Sequence, residues 1–230
     1  MPRISHILLR TTDPAAARAF YEALLVDGCP DVAELPAAAV ARGAKPHWLG
    51  HVAVEDPAAL VAALVTRGAQ PLGLPLTSRG ASAVVLRERG GAVFAVGGPS
   101  DAAAMRADVA WHLMWSHAPE QSLSDHIELF GWHATRVIDT KAYGIHREFA
   151  WSAGGPSVGA VADVAAIAGV HPQWLHVFTV PDLERAIARV RAQGGLVIGP
   201  ATMPNGARMA ACDDPQGGAF GLTDAATLAA

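Results

Sequence analysis

Little in this chain ties it to a disulfide framework, a membrane or nucleic acid. Its 230 residues include two cysteines, Cys29 and Cys212. They are too few and too far apart for a disulfide scaffold or a thiolate zinc site, and read as unpaired thiols in a reducing compartment. No stretch of about eighteen uninterrupted apolar residues suggests a membrane span. The start, Met-Pro-Arg-Ile-Ser-His, lacks the apolar run of a signal peptide, so a cytoplasmic location is expected. Neither sign of charge dominates: 17 Lys and Arg against 21 Asp and Glu give −4, without blocks of one sign. That leaves no electrostatic footprint for nucleic acid or an anionic membrane surface. There is no Walker loop, no Gly-x-Ser-x-Gly elbow, no paired-cysteine motif and no Rossmann glycine set. A content of 51 % hydrophobic and 17 % charged residues excludes disorder. A small neutral or weakly charged molecule is the expected partner.

What the chain does contain is an internal repeat. Positions 48–96 align without a gap on 174–222, at an offset of 174 − 48 = 126, and eleven residues coincide. Glycines recur at Gly68/Gly194, Gly73/Gly199, Gly80/Gly206 and Gly91/Gly217; the pairs fall where turns make the strictest backbone demands. Within each copy a short apolar run meets Asp56 or Asp182, which can cap the helix that follows. In the first copy Pro57 sits at the opening helical position and Leu60, Val61, Leu64 and Val65 form an apolar stripe. Three short β runs then follow, separated by Gly and Pro, so the unit is βαβββ.

Each copy is preceded by a more divergent relative. Arg3 to Thr12 is extended and Asp13-Pro14 opens a helix; Val109 to His117 is extended and Ala118-Pro119 opens another, at an offset of 119 − 14 = 105. The third unit has room for three strands, near Thr135 to Thr140, Tyr143 to Trp151 and Ser157 to Val161, whereas Val26 to Pro46 leaves the first unit one or two. The expected fold class is α+β: four tandem βαβββ modules, the first shortened, forming two curved-sheet half-barrel domains with helices on the outer face. The expected division is residues 1–97, a linker at 98–107 and residues 108–224.

Ile4-Ser5-His6-Ile7-Leu8-Leu9-Arg10 leading to Asp13 and then Phe20-Tyr21, Leu129-Phe130-Gly131-Trp132, and Asp214-Pro215-Gln216-Gly217-Gly218-Ala219-Phe220-Gly221-Leu222 together resemble the vicinal oxygen chelate superfamily of glyoxalases, bleomycin-resistance proteins and extradiol dioxygenases. The resemblance covers almost the whole chain and is specific for fold more than for chemistry. It implies module pairs curved around a cleft and, in metal-dependent members, ligands on the first and last strands. His6 occupies one first-strand slot, but the others hold Trp111, Leu49 and Leu175, and the last-strand carboxylate slots hold Gly221 and Ala95. No metal or other cofactor is therefore expected. The alternative is a divalent metal held by His6, His47 and His51 in a lyase, isomerase or dioxygenase.

Alternation along Val109 to His117 places Trp111, Trp115 and His117 on one face, and that along Tyr143 to Trp151 groups Arg147 with Trp151. Trp111, Trp115, His117, Arg147 and Trp151 are the candidate ligand-binding set, with indoles to stack on a ring and Arg147 to hold a carboxylate or phosphate. Against this, aromatics at period two also serve as a sheet's packing face, and Arg147 can simply pair with a surface acid. Trp48 and Trp174 read as packing residues, His112 as a satisfied core histidine, and Asp125-His126 as an exposed helix face. The expected function is small-molecule binding, as in the bleomycin-resistance branch. A scaffold forming a homodimer through an exposed sheet edge is a further alternative.

Overall fold

A computed structural model describes residues 2–78, 81–99, 106–141 and 143–229. Gly80 of the repeat and residues 100–105 of the expected linker lie outside them. The first module contributes β1 (Ile4–Thr11), α1 (Pro14–Leu24), β2 (Asp31–Glu34) and the short α2 (Ala37–Val40). The second supplies β3 (His47–Ala53), α3 (Pro57–Thr66), β4 (Gln70–Pro71), β5 (Leu76–Ser78), β6 (Ala81–Arg87) and β7 (Val93–Gly97). The third comprises β8 (Val109–Ser116), α4 (Pro119–Phe130), β9 (His133–Asp139), β10 (Ile145–Ala150) and β11 (Gly159–Asp163), followed by a 3-10 turn at Val164–Ala166. The fourth is β12 (Gln173–Thr179), α5 (Leu183–Ala192), β13 (Leu196–Thr202), β14 (Arg208–Asp213) and β15 (Ala219–Thr223). The first module thus keeps a single strand after its helix. No helix among the described residues is long and apolar enough to cross a membrane.

The strands form two open sheets, one holding β1 to β7 and the other β8 to β15. In each, the first strands of the two modules pair antiparallel at the centre, β1 with β3 and β8 with β12. The repeat persists in the backbone. Asp56 and Asp182 each accept a bond from the amide three residues on, both at 2.9 Å. The glycine pairs Gly68/Gly194, Gly73/Gly199 and Gly91/Gly217 all have positive φ in both copies, a conformation that other residues adopt at a cost.

Each sheet carries its helices on one face. Leu60 and Leu64 of α3, and Leu183, Ile187 and Val190 of α5, bury there, while Val65 of the expected α3 stripe stays exposed. The two helix-bearing faces are turned toward each other, with α1 beside α5 and α3 beside α4. One apolar core consequently runs through both halves, from Trp48 and Phe94 to Phe178 and Phe220. The helix-free faces bury separate clusters: Leu49, Ala83 and Ala95 on the N-terminal sheet, and a larger one around Trp111, Leu113 and Trp115 on the C-terminal sheet.

Candidate functional site

The helix-free face of the C-terminal sheet gathers most of the aromatic and polar chemistry that faces away from the shared core. Register fixes its rows. His146 on β10 lies opposite Ala162 on β11, which lies opposite Trp115 on β8; Glu148, Ala160 and Leu113 form the next row. On the other side of β8, Leu175 and Val177 of β12 flank Leu113 and Trp111. Strands lie about 4.8 Å apart, so the alanine methyls of β11 form a low floor between the side chains of β10 and β8. Trp115 meets His146 edge to face, with ring centroids 6.3 Å apart.

This face is closed. Trp111 and Trp115 are 2 % and 3 % exposed, so no molecule reaches them unless something moves. The cover consists of Tyr143, Val164 of the 3-10 turn, Met203 and Leu228. Burial pushes the Tyr143 hydroxyl up to about 12, and that hydroxyl donates to the Met209 carbonyl at 3.3 Å. Burial also pulls His146 down to about 4, against a backbone hydrogen bond at Tyr143 that favours its charged form. His146 is therefore neutral near pH 7. Its Nε2 and the Trp111 Nε1 are buried and find no hydrogen-bond partner among the described residues. Most buried polar atoms are paired, and an unpaired one costs about 1–3 kcal/mol.

The structure divides the sequence-derived ligand set. His117 is exposed just beyond β8, where its backbone amide donates to the Gly90 carbonyl. Arg147 and Trp151 belong to the opposite, helix-bearing side. Arg147 pairs with Glu120 of α4 in a surface cavity of about 390 Å3 that also includes Leu123, Ile127 and Val137. Trp151 packs on Trp132, with centroids 4.7 Å apart. The cause is register through β11, which puts even-numbered residues of β10 on the side of odd-numbered residues of β8. The structure therefore does not bring Arg147 and Trp151 together with Trp111 and Trp115; His146 and Glu148 lie on the side of the two indoles.

On the N-terminal sheet His6 and His51 are register partners, and their rings stack at 4.1 Å. His47 lies further along, opposite Arg10, with its Nδ1 at 2.7 Å from the Lys45 carbonyl. Among the described residues no group of three His, Cys, Asp or Glu side chains converges to hold a metal ion. That donor set does not fit a divalent ion gripped by three protein groups.

Sequence reasoning missed a polar seam between the halves. Asp125 and His126 are buried, not exposed. Arg67, just past the end of α3, reaches Asp125 at 3.0 Å and Glu128 at 2.8 Å. The Ser122 hydroxyl donates to Glu88 at 2.9 Å, and His126 Nδ1, 2.6 Å from the Ser122 carbonyl, lies 3.8 Å from the same carboxylate. Desolvation raises Glu88 to about 7 and lowers His126 to about 4. In the pseudo-equivalent place the Tyr21 hydroxyl donates to Asp214 at 3.0 Å. The signal was present: the 105 offset equates Tyr21 with His126, and the 126 offset equates Glu88 with Asp214. His112 is satisfied through its partner His176, Nδ1 to Nδ1 at 2.9 Å.

Comparison with known proteins bears on the fold. No protein of curated function matches the chain in sequence. Among solved structures, the Mn(II)-bound glyoxalase from Novosphingobium aromaticivorans aligns over 97 % of this chain and 83 % of its own, with a TM-score of 0.58 and 14 % identity. The 2,3-dioxygenase LapB from Pseudomonas sp. KL28 aligns over 95 % and 90 %, with a TM-score of 0.59 and 13 % identity. Homoprotocatechuate 2,3-dioxygenase from Arthrobacter globiformis aligns over 96 % and 79 %, with a TM-score of 0.61 and 12 % identity. At such identities the likeness concerns the fold. A sequence profile described as the Glyoxalase/Bleomycin resistance protein/Dioxygenase superfamily matches residues 116–222. The C-terminal half of the chain thus matches that superfamily's profile, and the chain as a whole shares the fold of the glyoxalase and the two dioxygenases.

Proposed function

We propose that the protein binds an uncharged, planar organic molecule on the helix-free face of its C-terminal sheet, in the manner of a glyoxalase-like binding protein and without a catalytic metal. The observation that carries this is the pair of buried, unpartnered ring nitrogens at Trp111 and His146. With the other imidazole nitrogen turned toward the Tyr143 backbone, His146 Nε2 offers a lone pair, while the Trp111 indole offers an N–H. An elongated flat molecule with a donor at one end and an acceptor at the other suits the two, which the register sets two strands and four residues of β8 apart. Indole surfaces and the alanine floor suit a flat apolar body. The strands β8, β10, β11 and β12 present no Lys or Arg on this face, which disfavours the carboxylate or phosphate end expected of a ligand held by Arg147. The test is a thermal-shift screen of neutral hydroxylated aromatics and heterocycles. A hit should raise the melting temperature of the wild type, and Trp115→Ala or His146→Phe should weaken binding about tenfold or more, an effect of at least about 1.4 kcal/mol. Equal affinity in both variants would place the ligand elsewhere.

A second proposal has one specific support, the stacked His6 and His51 on a fold shared with a Mn(II)-bound glyoxalase. In it the N-terminal sheet holds a divalent ion with a third donor not supplied by His47. Metal analysis of chelator-stripped and reloaded protein decides it: stoichiometric uptake abolished by His6→Ala supports the metal, and uptake unchanged by that substitution removes it.

A further inference from the structure

The last described segment, residues 224–229, follows β15 without joining the sheet. Its Leu228 is nonetheless 3 % exposed and belongs to the same apolar cluster as Trp111, Leu113 and Trp115, with Ala229 packed beside it. Its bonds are few, and at its start Arg208 Nη2 donates to Asp224 Oδ2 at 2.8 Å. Thr179 Oγ1 donates to the Ala225 carbonyl at 3.3 Å, and Asn205 Nδ2 donates to the Ala229 carbonyl at 2.8 Å. Two further bonds are local, from Ala225 N to Thr223 Oγ1 and from Ala229 N to Thr227 Oγ1. A segment with few backbone bonds and one buried anchor opens at a fraction of the cost of global unfolding.

We infer that residues 224–229 are a strap that fills the binding face from within, with Leu228 standing where the apolar part of the ligand goes. The inference rests on the proposed ligand face and adds its regulation and part of its specificity. Strap and ligand compete, so the ligand must bring an apolar group comparable to a leucine side chain, and its apparent affinity is reduced by the fraction of molecules with the strap in place. Asn205, in the turn between β13 and β14, is the latch.

The experiment uses full-length protein carrying Trp151→Phe, which removes the partly exposed indole and leaves the buried ones to report. Leu228→Asp is compared with this background by acrylamide quenching of tryptophan fluorescence and by titration with the neutral dye N-phenyl-1-naphthylamine. The expected result is stronger quenching and dye affinity raised about tenfold or more, as displacing a strap closed about ten to one requires. Unchanged quenching and dye affinity in folded Leu228→Asp would overturn the strap. Dye binding as tight in the background as in the variant, lost in Trp115→Ala, would overturn the strap while keeping the ligand face. Increased quenching without dye binding would keep the strap and remove the ligand face. If Leu228→Asp does not fold, hydrogen exchange of Asn205→Ala replaces it. Faster exchange of 224–229 with β15 unchanged supports the strap, and exchange of 224–229 as slow as that of β15 in both proteins overturns it.

Discussion

At the scale of single residues, the seam between the halves depends on Gly90 having no side chain. A Cβ there would lie 1.9 Å from Ser116 Oγ, 2.5 Å from Ser122 Oγ and 2.8 Å from Glu88 Oε1. These atoms form a chain, Ser116 Oγ to Ser122 Oγ at 2.7 Å and on to Glu88. Gly90→Ala therefore overpacks the site and breaks buried hydrogen bonds together, for an expected loss of about 2–4 kcal/mol in urea unfolding. Glu88 itself gives a prediction with a sign that depends on pH. Its folded pKa is raised from 4.5 to about 7 by burial, so the protonated form is favoured by folding. Stability from this group is present below the unfolded value and is lost as pH rises through about 7. Glu88→Gln has no such loss. Relative to wild type it should gain roughly 3 kcal/mol between about pH 4 and pH 8.5, because each tenfold change in a proton-binding equilibrium is worth about 1.4 kcal/mol. A flat difference across that range would show that Glu88 is solvated.

At the scale of elements, the duplication makes the next prediction nearly symmetrical. Asp56 and Asp182 cap α3 and α5 with the same bond at the same length, so Asp56→Ala and Asp182→Ala should each cost about 1 kcal/mol in urea unfolding. A loss confined to one would mean that the helices are held differently despite their matching ends. The elements were the legible part of this chain. Caps, turn glycines and the apolar runs of β3, β8 and β12 depend on neighbours within a few residues, and the sequence displays those. Faces were legible only within a strand. Alternation correctly separated His146 from Arg147, but deciding which of them shares a side with Trp115 needs the register of β10 on β11 and of β11 on β8, and that depends on contacts distant in sequence. Arg147 was misplaced for this reason. The seam was hidden for another: Asp125 and His126 are polar and look exposed until the helix-bearing face of the N-terminal sheet is set against them. Leu228 carries no signal at all, being one apolar residue in a short segment after the last strand.

At the scale of the whole molecule, packing two helix-bearing faces together buries an unusual number of imidazoles. His112 and His126 are lowered to about 4 and His176 well below its usual value, all chiefly by desolvation, and all three lie in the shared core; His146, on the helix-free face of the C-terminal sheet, is lowered to about 4 as well. A histidine with a depressed folded pKa contributes stability that is complete above about 6.5 and is lost as pH falls toward the folded value, because the unfolded chain then takes up the protons. Glu88 acts the other way between 4.5 and about 7, and Asp213 and Asp214, also raised by burial, oppose the histidines at lower pH. These four imidazoles against one carboxyl leave a net uptake of roughly two to three protons on unfolding near pH 5.5, and His47, also lowered chiefly by desolvation, adds to it. At about 1.4 kcal/mol per proton and pH unit, stability should fall by roughly 3–4 kcal/mol for each unit below about pH 6. A domain with a total of about 5–15 kcal/mol does not survive many such units. Urea unfolding at a series of pH values between about 5 and 7 measures the slope directly. His112→Leu, whatever it does to stability at neutral pH, should reduce that slope by about one proton, since it removes one titrating group. If the wild-type slope is near zero, the imidazoles are reached by water and the two helix-bearing faces are not closed on one another in solution.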